Sequence, residues 1–248
     1  QNAYNYEEPV TVGYDIYSPQ GKLLEFNMTE ITIPGRSTDT VRFSPFIYHT
    51  YDNKWEAGSK TPPLYKVMLF TRRDGAYREY MPLKIGFGKT ELVDGRLTRF
   101  DKELKLVKAG YNAAADRKTT LAELKALKAK GNNTICPDYP QPGWFYDLCD
   151  ELGLYVIDCA NINAPEKRDD RKVGGTPSND PSLADEYLER VKAMYYRSRN
   201  HSCVIAFALG GESGNGYNMY KAYEWLKSVE KSRPVICADA DGEWNSDL

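Results

Sequence analysis

The residues best suited to chemistry are polar side chains at the ends of short apolar runs in the second half of the chain. Glu212 is the most prominent, because it lies in a Gly-Gly-Glu-Ser-Gly segment directly after the apolar run 202–209. The flanking glycines let the backbone turn tightly and present the carboxylate. Asp138, Asp158 and Asn161 lie at the ends of two earlier apolar runs. Because the carboxyl ends of parallel strands share one edge of a sheet, we expect these side chains to converge on one pocket.

Carboxylates in such a pocket could cleave glycosidic bonds as general acid, general base or nucleophile. From the local sequence alone, a solvated loop residue is the competing interpretation of Glu212. Asp239 and Asp241, which follow the last apolar run, are interpreted as hydrogen-bond acceptors for loop amides. His201 precedes the strand before Glu212 and is assigned a structural role, so neither a nucleophile triad nor a metal site is predicted.

The bulk composition is that of an ordinary globular protein, with 248 residues, 41% of them hydrophobic and 27% charged. The net charge of −2 and the scattered lysines and arginines argue against nucleic-acid binding. No apolar run approaches the roughly 18–20 residues needed to span a membrane. The five cysteines all lie in the second half without zinc-site spacing, so we predict buried free thiols.

The elements that must position these residues change in type near residue 98. From Pro9 to Leu97 short alternating runs are broken by turn signals, which predicts an antiparallel, immunoglobulin-like β-sandwich over residues 1–97. Within it, separate strands are predicted over 22–27 and 30–33, and turns at Asp74-Gly75 and Asp94-Gly95.

From residue 98 to 248 strands and helices alternate, which predicts parallel strands joined by helical crossovers. A capping box formed by Thr120 and Glu123 is expected to begin the first helix. The predicted strands are 104–109, 133–136, 154–159, 202–209 and 234–238, and the predicted helices are 121–130, 144–152, 182–199 and 217–231. A complete eight-stranded barrel needs about 200–250 residues, so this half is either a partial (β/α)8 TIM-type barrel, the interpretation adopted, or a smaller open α/β domain.

The order of several motifs resembles glycoside hydrolase family 2, the β-galactosidase and β-glucuronidase family. The stretch from Arg199 to Gly216 is similar to the family signature RNHPSVIxWSLGNESGNG, and Leu148 to Val156 is similar to its LCDExGLYV segment. Pro63-Leu64-Tyr65 and Ile85-Gly86-Phe87 resemble two landmarks of the domain that precedes the family's barrel. The resemblance implies a glycan substrate and no cofactor; some members bind metal ions, and no residue here can be assigned to one.

By this resemblance Glu212 is the general acid/base of a retaining reaction, while Asp138, Asp158 and Asn161 contact the sugar. The family's nucleophile is a second glutamate on a later strand, and residue 248 comes too early to include it. Several sugar-contacting positions also differ from the family. Gly211 replaces an asparagine, Ile135 and Asp138 replace an arginine and a histidine, Cys159 replaces a glutamate, and Ala113 stands where a basic residue is expected.

Two functions are therefore kept open. The first is a fragment or divergent member of family 2 that is inactive by itself, and the second is a noncatalytic carbohydrate-binding or scaffold protein. An incomplete barrel would leave unpaired strand edges, which predicts self-association into a homo-oligomer. A periplasmic or secreted location is expected from the family and from Gln1 as a processed start. Neither a nucleic-acid partner nor a membrane partner is expected.

Overall fold

A computed structural model describes every residue from Gln1 to Leu248, and the chain forms two compact units. Unit 1 comprises residues 1–54 and 63–87, and unit 2 comprises residues 55–62 and 88–248. The predicted boundary at residue 98 falls inside unit 2, and as a boundary between fold domains it stays a prediction.

Unit 1 is built on a four-stranded antiparallel sheet in the order β2-β1-β3-β4. Its strands are β1 (Glu8–Tyr17), β2 (Leu23–Ile33), β3 (Tyr65–Arg73) and β4 (Ala76–Ile85), and a short 3-10 turn spans Thr50–Asn53. Asp74 and Gly75 join β3 to β4 with φ angles of 51° and 75°, the left-handed conformation of a two-residue hairpin turn. Antiparallel β structure is confirmed here, while the two-layer sandwich stays a prediction.

The prediction of two strands over residues 22–33 is wrong. Met28 and Asn27 pair without interruption with Gly13 and Tyr14 of the neighbouring strand, so β2 is continuous through the predicted gap. Pairing with β1 decides the conformation there, because a strand's hydrogen bonds come from its neighbour rather than from its own sequence.

Unit 2 contains a five-stranded sheet in which all neighbours are parallel and follow chain order. Its strands are β8 (Lys108–Tyr111), β9 (Thr134–Pro137), β10 (Tyr155–Cys159), β11 (Val204–Ala208) and β12 (Val235–Ile236). A helix follows each of the first four strands, namely α1 (Arg117–Ala129), α2 (Gly143–Leu152), α3 (Ala184–Ser198) and α4 (Tyr217–Val229). The predicted alternation of parallel strands and helices is confirmed.

A three-stranded antiparallel sheet precedes the parallel one. It is formed by β5 (Thr90–Val93), β6 (Arg96–Arg99) and β7 (Lys102–Glu103), with the predicted turn at Asp94 and Gly95 joining β5 to β6. Two short 3-10 turns, Pro177–Asn179 and Pro181–Leu183, lie in the long loop between β10 and α3.

The first barrel-type strand and helix differ from their predicted positions. Residues 104–107 are not in the ladder, because the Asn133 side chain accepts from Val107 N–H and donates to the Lys105 carbonyl, both at 2.8 Å. The helix cap is Asp116, whose side chain accepts from the N–H groups of residues 118 and 119. Glu123 instead accepts a hydrogen bond from the Tyr111 hydroxyl, so the predicted capping box is wrong.

A buried polar network lies at the amino ends of β10 and β11. The Asp150 carboxylate bonds His201 Nδ1 at 2.8 Å and accepts from Cys203 N–H at 2.7 Å. Trp55 Nε1–H donates to the Asp150 carbonyl at 2.9 Å. This end of the sheet is opposite to the end that carries Glu212, so the structural role predicted for His201 fits the network.

Arg99 extends this network with a buried guanidinium. Its side chain is 2% exposed and lies 5.0 Å from the centre of the Trp55 ring and 5.8 Å from that of Tyr155. Nη1 donates to Thr90 and to the Ser202 carbonyl, whereas Nε and Nη2 have no hydrogen-bond partner. Burial lowers the pKa of Arg99 below its ordinary value. Stacking on aromatic faces therefore compensates part of the desolvation of this cation.

All five cysteines are free, and four of them are buried. Burial raises the pKa of every thiol, to about 12 for Cys159 and to about 11 for Cys237. Since the thiolate is the reactive form, these are unreactive groups at neutral pH. The predicted free thiols are confirmed, with Cys136 only half-buried.

Candidate active site

The carboxyl ends of three neighbouring strands bring predicted site residues to one edge of the parallel sheet. Asp138 follows β9, Asn161 follows β10, and Glu212 follows β11. All three residues are solvent-exposed. They therefore lie where ligands of parallel α/β sheets ordinarily bind, although their contact with a substrate stays a prediction.

Backbone hydrogen bonds fix the Glu212 segment, residues 210–214, against the chain that follows β10. Gly211 N–H donates to the Ile162 carbonyl, and Ala164 N–H donates to the Glu212 carbonyl, both at 2.9 Å. A Cβ atom at Gly210 would lie 2.8 Å from the Ile162 carbonyl oxygen, so this close approach requires glycine. The Glu212 side chain is 70% exposed, so its carboxylate projects from a fixed backbone into solvent.

An arginine that the sequence interpretation missed holds this carboxylate. Arg168 Nη1 lies 3.3 Å from Glu212 Oε1, and Nη2 lies 3.1 Å from Asp239 Oδ1. The other oxygen of Asp239 accepts from the N–H groups of Ser213 and Gly214 at 2.8 and 2.7 Å. The acceptor role predicted for Asp239 is confirmed, and one guanidinium bridges it to Glu212.

Arg168 belongs to the 164–183 loop, which is attached to the Glu212 segment. The hydroxyls of Thr176 and Ser178 donate to the Ser213 carbonyl at 2.9 and 2.6 Å. Gly214 has a φ of +68°, and a Cβ there would lie 2.5 Å from the Arg168 carbonyl oxygen. The only sequence signal for this arrangement is the group of basic residues in an otherwise polar, irregular stretch.

Asp158, the fourth predicted site residue, is fully buried. Its Oδ1 accepts from the Tyr146 hydroxyl of α2 at 2.7 Å and from Cys159 N–H at 3.1 Å, while Oδ2 has no hydrogen-bond partner. Burial raises the pKa of the Asp158 carboxyl above its ordinary value. The structure therefore does not bring Asp158 into the exposed group around Glu212, and its role in substrate binding stays a prediction.

An Asp158→Asn variant is expected to gain stability relative to the unaltered chain as the pH rises from about 4 towards neutrality. Asparagine retains an acceptor for Tyr146 and removes a buried charge. Below about pH 3.9 both folded and unfolded Asp158 hold the proton. As pH rises, the unfolded state releases it first, so the unaltered chain loses stability until the pH passes the raised pKa of the folded state.

Urea unfolding at several values between about pH 4 and pH 8 checks this, because the advantage of the variant should grow with pH and then level off. Asp185→Asn, on the exposed face of α3, is the control and should show no such trend. A variant advantage independent of pH would contradict the assignment of a raised pKa.

The positions that differ from the family have distinct surroundings. Ile135 is fully buried, and Cys159 is nearly so. A Cβ built at Gly211 meets the Asn163 side chain at 3.8 Å and the Ile162 carbonyl oxygen at 3.9 Å, both ordinary contact distances, so there is room for a larger residue. Asn163 in turn donates to the Tyr139 hydroxyl at 3.1 Å. Asn163, which follows β10, thus lies beside Gly211 and is hydrogen-bonded to Tyr139, which follows β9.

A second ion pair lies beside the first. Arg171 Nη1 is 2.6 Å from Glu243 Oε1, and the Tyr220 hydroxyl donates to the other Glu243 oxygen at 2.6 Å. The hydrogen bond from Tyr220, and then those from Arg171, hold the pKa of Glu243 below its ordinary value. No group of three or more His, Cys, Asp and Glu side chains is placed to hold a metal ion. None of the helices combines the length and hydropathy of a membrane span.

This geometry limits the chemistry available at the site. Retaining cleavage of a glycoside needs two carboxyl groups about 5–5.5 Å apart on either side of the scissile bond. Asp239 is engaged by two amides and Arg168, and Asp158 is buried under α2. Among the predicted site residues, the exposed carboxylates of this edge are therefore Glu212 and Asp138, together with donors and acceptors suited to hydroxyl groups.

Comparisons of the sequence with known proteins point to one family. The sequence pattern of "Glycosyl hydrolases family 2, TIM barrel domain" matches residues 111–247. The β-galactosidase of Erwinia tasmaniensis is 33% identical over 212 residues, which are 81% of this chain and 20% of that protein. The chain thus spans about a fifth of that relative's length.

Solved structures share the fold at lower identity. Bacteroides uniformis β-glucuronidase 2, covalently bound to cyclophellitol-6-carboxylate aziridine, superposes with a TM-score of 0.78 at 18% identity, covering 95% of this chain and 30% of that one. A β-glycosidase from Bacteroides vulgatus gives 0.70 at 20% identity, covering 96% and 30%.

Proposed function

The chain belongs to glycosyl hydrolase family 2, and on that premise we propose that it binds glycans at the strand ends around Glu212 without hydrolysing them by itself. Glu212 corresponds to the acid/base of the parent reaction, the retaining hydrolysis of β-glycosides such as β-galactosides. The observation that supports this most is the exposed Glu212 carboxylate at the end of β11, held by Arg168, which also pairs with Asp239.

What surrounds Glu212 supports the proposed absence of turnover. Asp239 is used by loop amides and Asp158 is buried, so neither is free to act as a nucleophile. The exposed Asp138 follows β9, which is separated from the Glu212 strand by β10. Glu212 itself is engaged by a guanidinium.

The fold proposed for this function is an immunoglobulin-like β-sandwich over residues 1–97 followed by a partial barrel over residues 98–248. Five parallel strands in chain order support the partial barrel, since a doubly wound sheet would reverse its strand order. The antiparallel sheet of unit 1 supports the sandwich. We also propose that the protein is secreted to the periplasm or beyond, and that it self-associates through the edges of β8 and β12.

The alternative function is an acid/base segment of a longer, active β-glycosidase. The similarity to the Erwinia β-galactosidase, of which this chain covers 20%, favours it. In that case a nucleophilic glutamate would come from outside these 248 residues, and Arg168 would release Glu212 when substrate binds.

The chain is expected to hydrolyse aryl β-galactosides and β-glucuronides no faster than its own Glu212→Gln variant, because one carboxylate is insufficient for the retaining reaction. The release of p-nitrophenol measures both. A rate that exceeds that of Glu212→Gln would contradict the proposal. Binding is tested separately by calorimetry with methyl β-galactoside, and Gly211→Asn should strengthen it, because the added amide fits beside Asn163.

A further inference from the structure

A cavity of about 540 Å³ lies in unit 1, over one face of the four-stranded sheet. The apolar side chains that line it from this face are Val10, Val12, Ile31 and Ile33. Val10 pairs with Ile31 across β1 and β2, so both project from the same face. Except for Ile33 these side chains are only half-buried, although the apolar face of a sheet is normally covered by a second layer. The floor of the cavity is therefore an apolar surface that the chain leaves partly uncovered.

One side of the cavity is fixed by a buried asparagine. Asn2 is 5% exposed, and its Nδ2 donates to the carbonyls of Tyr6 and Ile33 at 2.7 and 3.0 Å. The Asn2 backbone N–H donates to the Ser37 carbonyl at 2.8 Å. These bonds hold residues 1–4 beside the cavity, so this side is set before any ligand binds.

The other side is formed by residues 39–47, a segment with the side-chain alternation of a strand. Val41 and Phe43 are half-buried, whereas Arg42 between them is exposed. The Phe43 ring meets the Tyr14 ring of β1 edge to face, with 5.0 Å between the ring centres, and Val41 lines the cavity. A period of two residues is that of a strand with one face against the sheet.

This strand-like segment has no strand beside it. No backbone N–H or carbonyl of residues 41–47 takes part in a hydrogen bond within the chain. A row of unpaired backbone groups is a template for an added strand. A strand added on the cavity side of residues 39–47 would also bring every second side chain over Val10 and Ile31. Backbone pairing and apolar burial are therefore available at the same place.

The charges around the cavity indicate which strand would fit. Arg42 is exposed and has no ion-pair partner, so an acidic residue opposite it on the outward face would be favoured. The charged residues that line the cavity are Glu8, Asp39, Arg73, Arg78 and Glu79. They comprise three carboxylates and two guanidiniums, and Glu8 pairs with Arg73. An inward acidic residue would therefore be disfavoured, and uncharged residues are expected there.

We propose that the cavity between residues 39–47 and the sheet face, the acceptor groove, binds an extended segment of another polypeptide as an added β-strand. The strand that fits has uncharged β-branched residues facing Val10 and Ile31, and acidic residues facing outward beside Arg42. The 39–47 segment of a second copy does not supply it, because that segment already lies against its own sheet. This inference goes beyond the proposed glycan-binding function and does not depend on it.

Two labelled peptides with blocked ends test the proposal by fluorescence anisotropy with the 248-residue chain. Glu-Val-Glu-Val-Thr-Val-Glu is expected to bind saturably, and about three- to tenfold more tightly than Lys-Val-Lys-Val-Thr-Val-Lys, because opposite charges pair across strands. Arg42→Glu should reverse this preference. Hydrogen–deuterium exchange should show that the bound peptide slows exchange of the amides of residues 41–47, which docking of side chains alone would not do.

Val10→Trp is expected to weaken binding of the acidic peptide about tenfold or more, because the larger side chain fills the floor of the acceptor groove. Met28→Trp is the matched control. Met28 is 53% exposed and pairs with Gly13, so it lies on the opposite face of the sheet, and its variant should bind normally. If Val10→Trp does not fold, Arg42→Glu still decides, since its side chain is exposed.

Three results would overturn the inference. The first is the absence of saturable binding of either peptide, and the second is a charge preference that Arg42→Glu leaves unchanged. The third is protection of residues 41–47 without peptide in a dimer of the chain, which would assign the acceptor groove to a second copy. None of these results bears on glycan binding at Glu212, which lies in unit 2.

Discussion

An Asp150→Ala variant is expected to lose about 3–5 kcal/mol of unfolding free energy, because removing one partner of a buried charged network leaves the others unpaired. The carboxylate holds His201 at 2.8 Å and the N–H of Cys203 at 2.7 Å. Both partners lie where the chain enters β11. Losing these two hydrogen bonds therefore exposes the start of the strand that positions Glu212. Urea unfolding followed by tryptophan fluorescence measures the effect on unit 2, which contains all four tryptophans.

Asp147→Ala, one turn earlier on the same helix and only half-buried, is the matched control and should change stability by less than about 0.5 kcal/mol. Asp150→Asn should fall between the two, since it retains an acceptor for the Cys203 amide. Equal stabilities for Asp150→Ala and Asp147→Ala would show that the network contributes nothing to unit 2.

Trp55→Ala is expected to lower the unfolding free energy by a similar amount, about 3–5 kcal/mol, as is usual for deleting a buried aromatic side chain. Trp55 is fully buried. Its loss leaves the Asp150 carbonyl without its donor and removes the ring against which the Arg99 guanidinium stacks. Trp55→Phe retains a ring face for Arg99 and loses only the N–H, so it should cost about 1–2 kcal/mol.

Trp244 supplies the control for this series, because it is 56% exposed, stacks on Tyr220 and meets Tyr223 edge to face. Its alanine variant should lose less than about 1 kcal/mol. A small cost for Trp55→Ala, comparable to that of Trp244→Ala, would mean that Arg99 and its surroundings repack without the indole.

Hydrophobic periodicity predicted most of the strands and helices correctly, because the apolar residues that bury one face recur at a regular spacing in the local sequence. The helix predicted over 144–152 ends at Leu152, and Gly153 follows it with a left-handed φ of 65°. Failures occurred where a distant partner decides the outcome. Asn133 withdraws residues 104–107 from the ladder, and Tyr111 takes the Glu123 carboxylate that the capping box required. Neither contact can be predicted from the few residues around either partner.

The candidate site was predictable in one respect and not in another. The strand-end positions of Glu212, Asp138 and Asn161 follow from the alternation of strands and helices. The direction of a side chain at a strand end does not, because one residue's shift sends it to the other face of the sheet. Asp158 accordingly lies under α2, and Arg168 reaches Glu212 from an irregular loop whose path no periodicity encodes.

The strand order of the parallel sheet also bears on how the chain is made. Each strand from β9 to β12 pairs with the strand synthesised just before it. Domains form from the amino end as the chain leaves the ribosome, and every new strand here meets a partner that has already emerged. The sheet can therefore grow in step with translation, with sequence separations between paired strands kept short, which favours fast folding. Glu212 then joins a sheet edge that is already in place when it emerges.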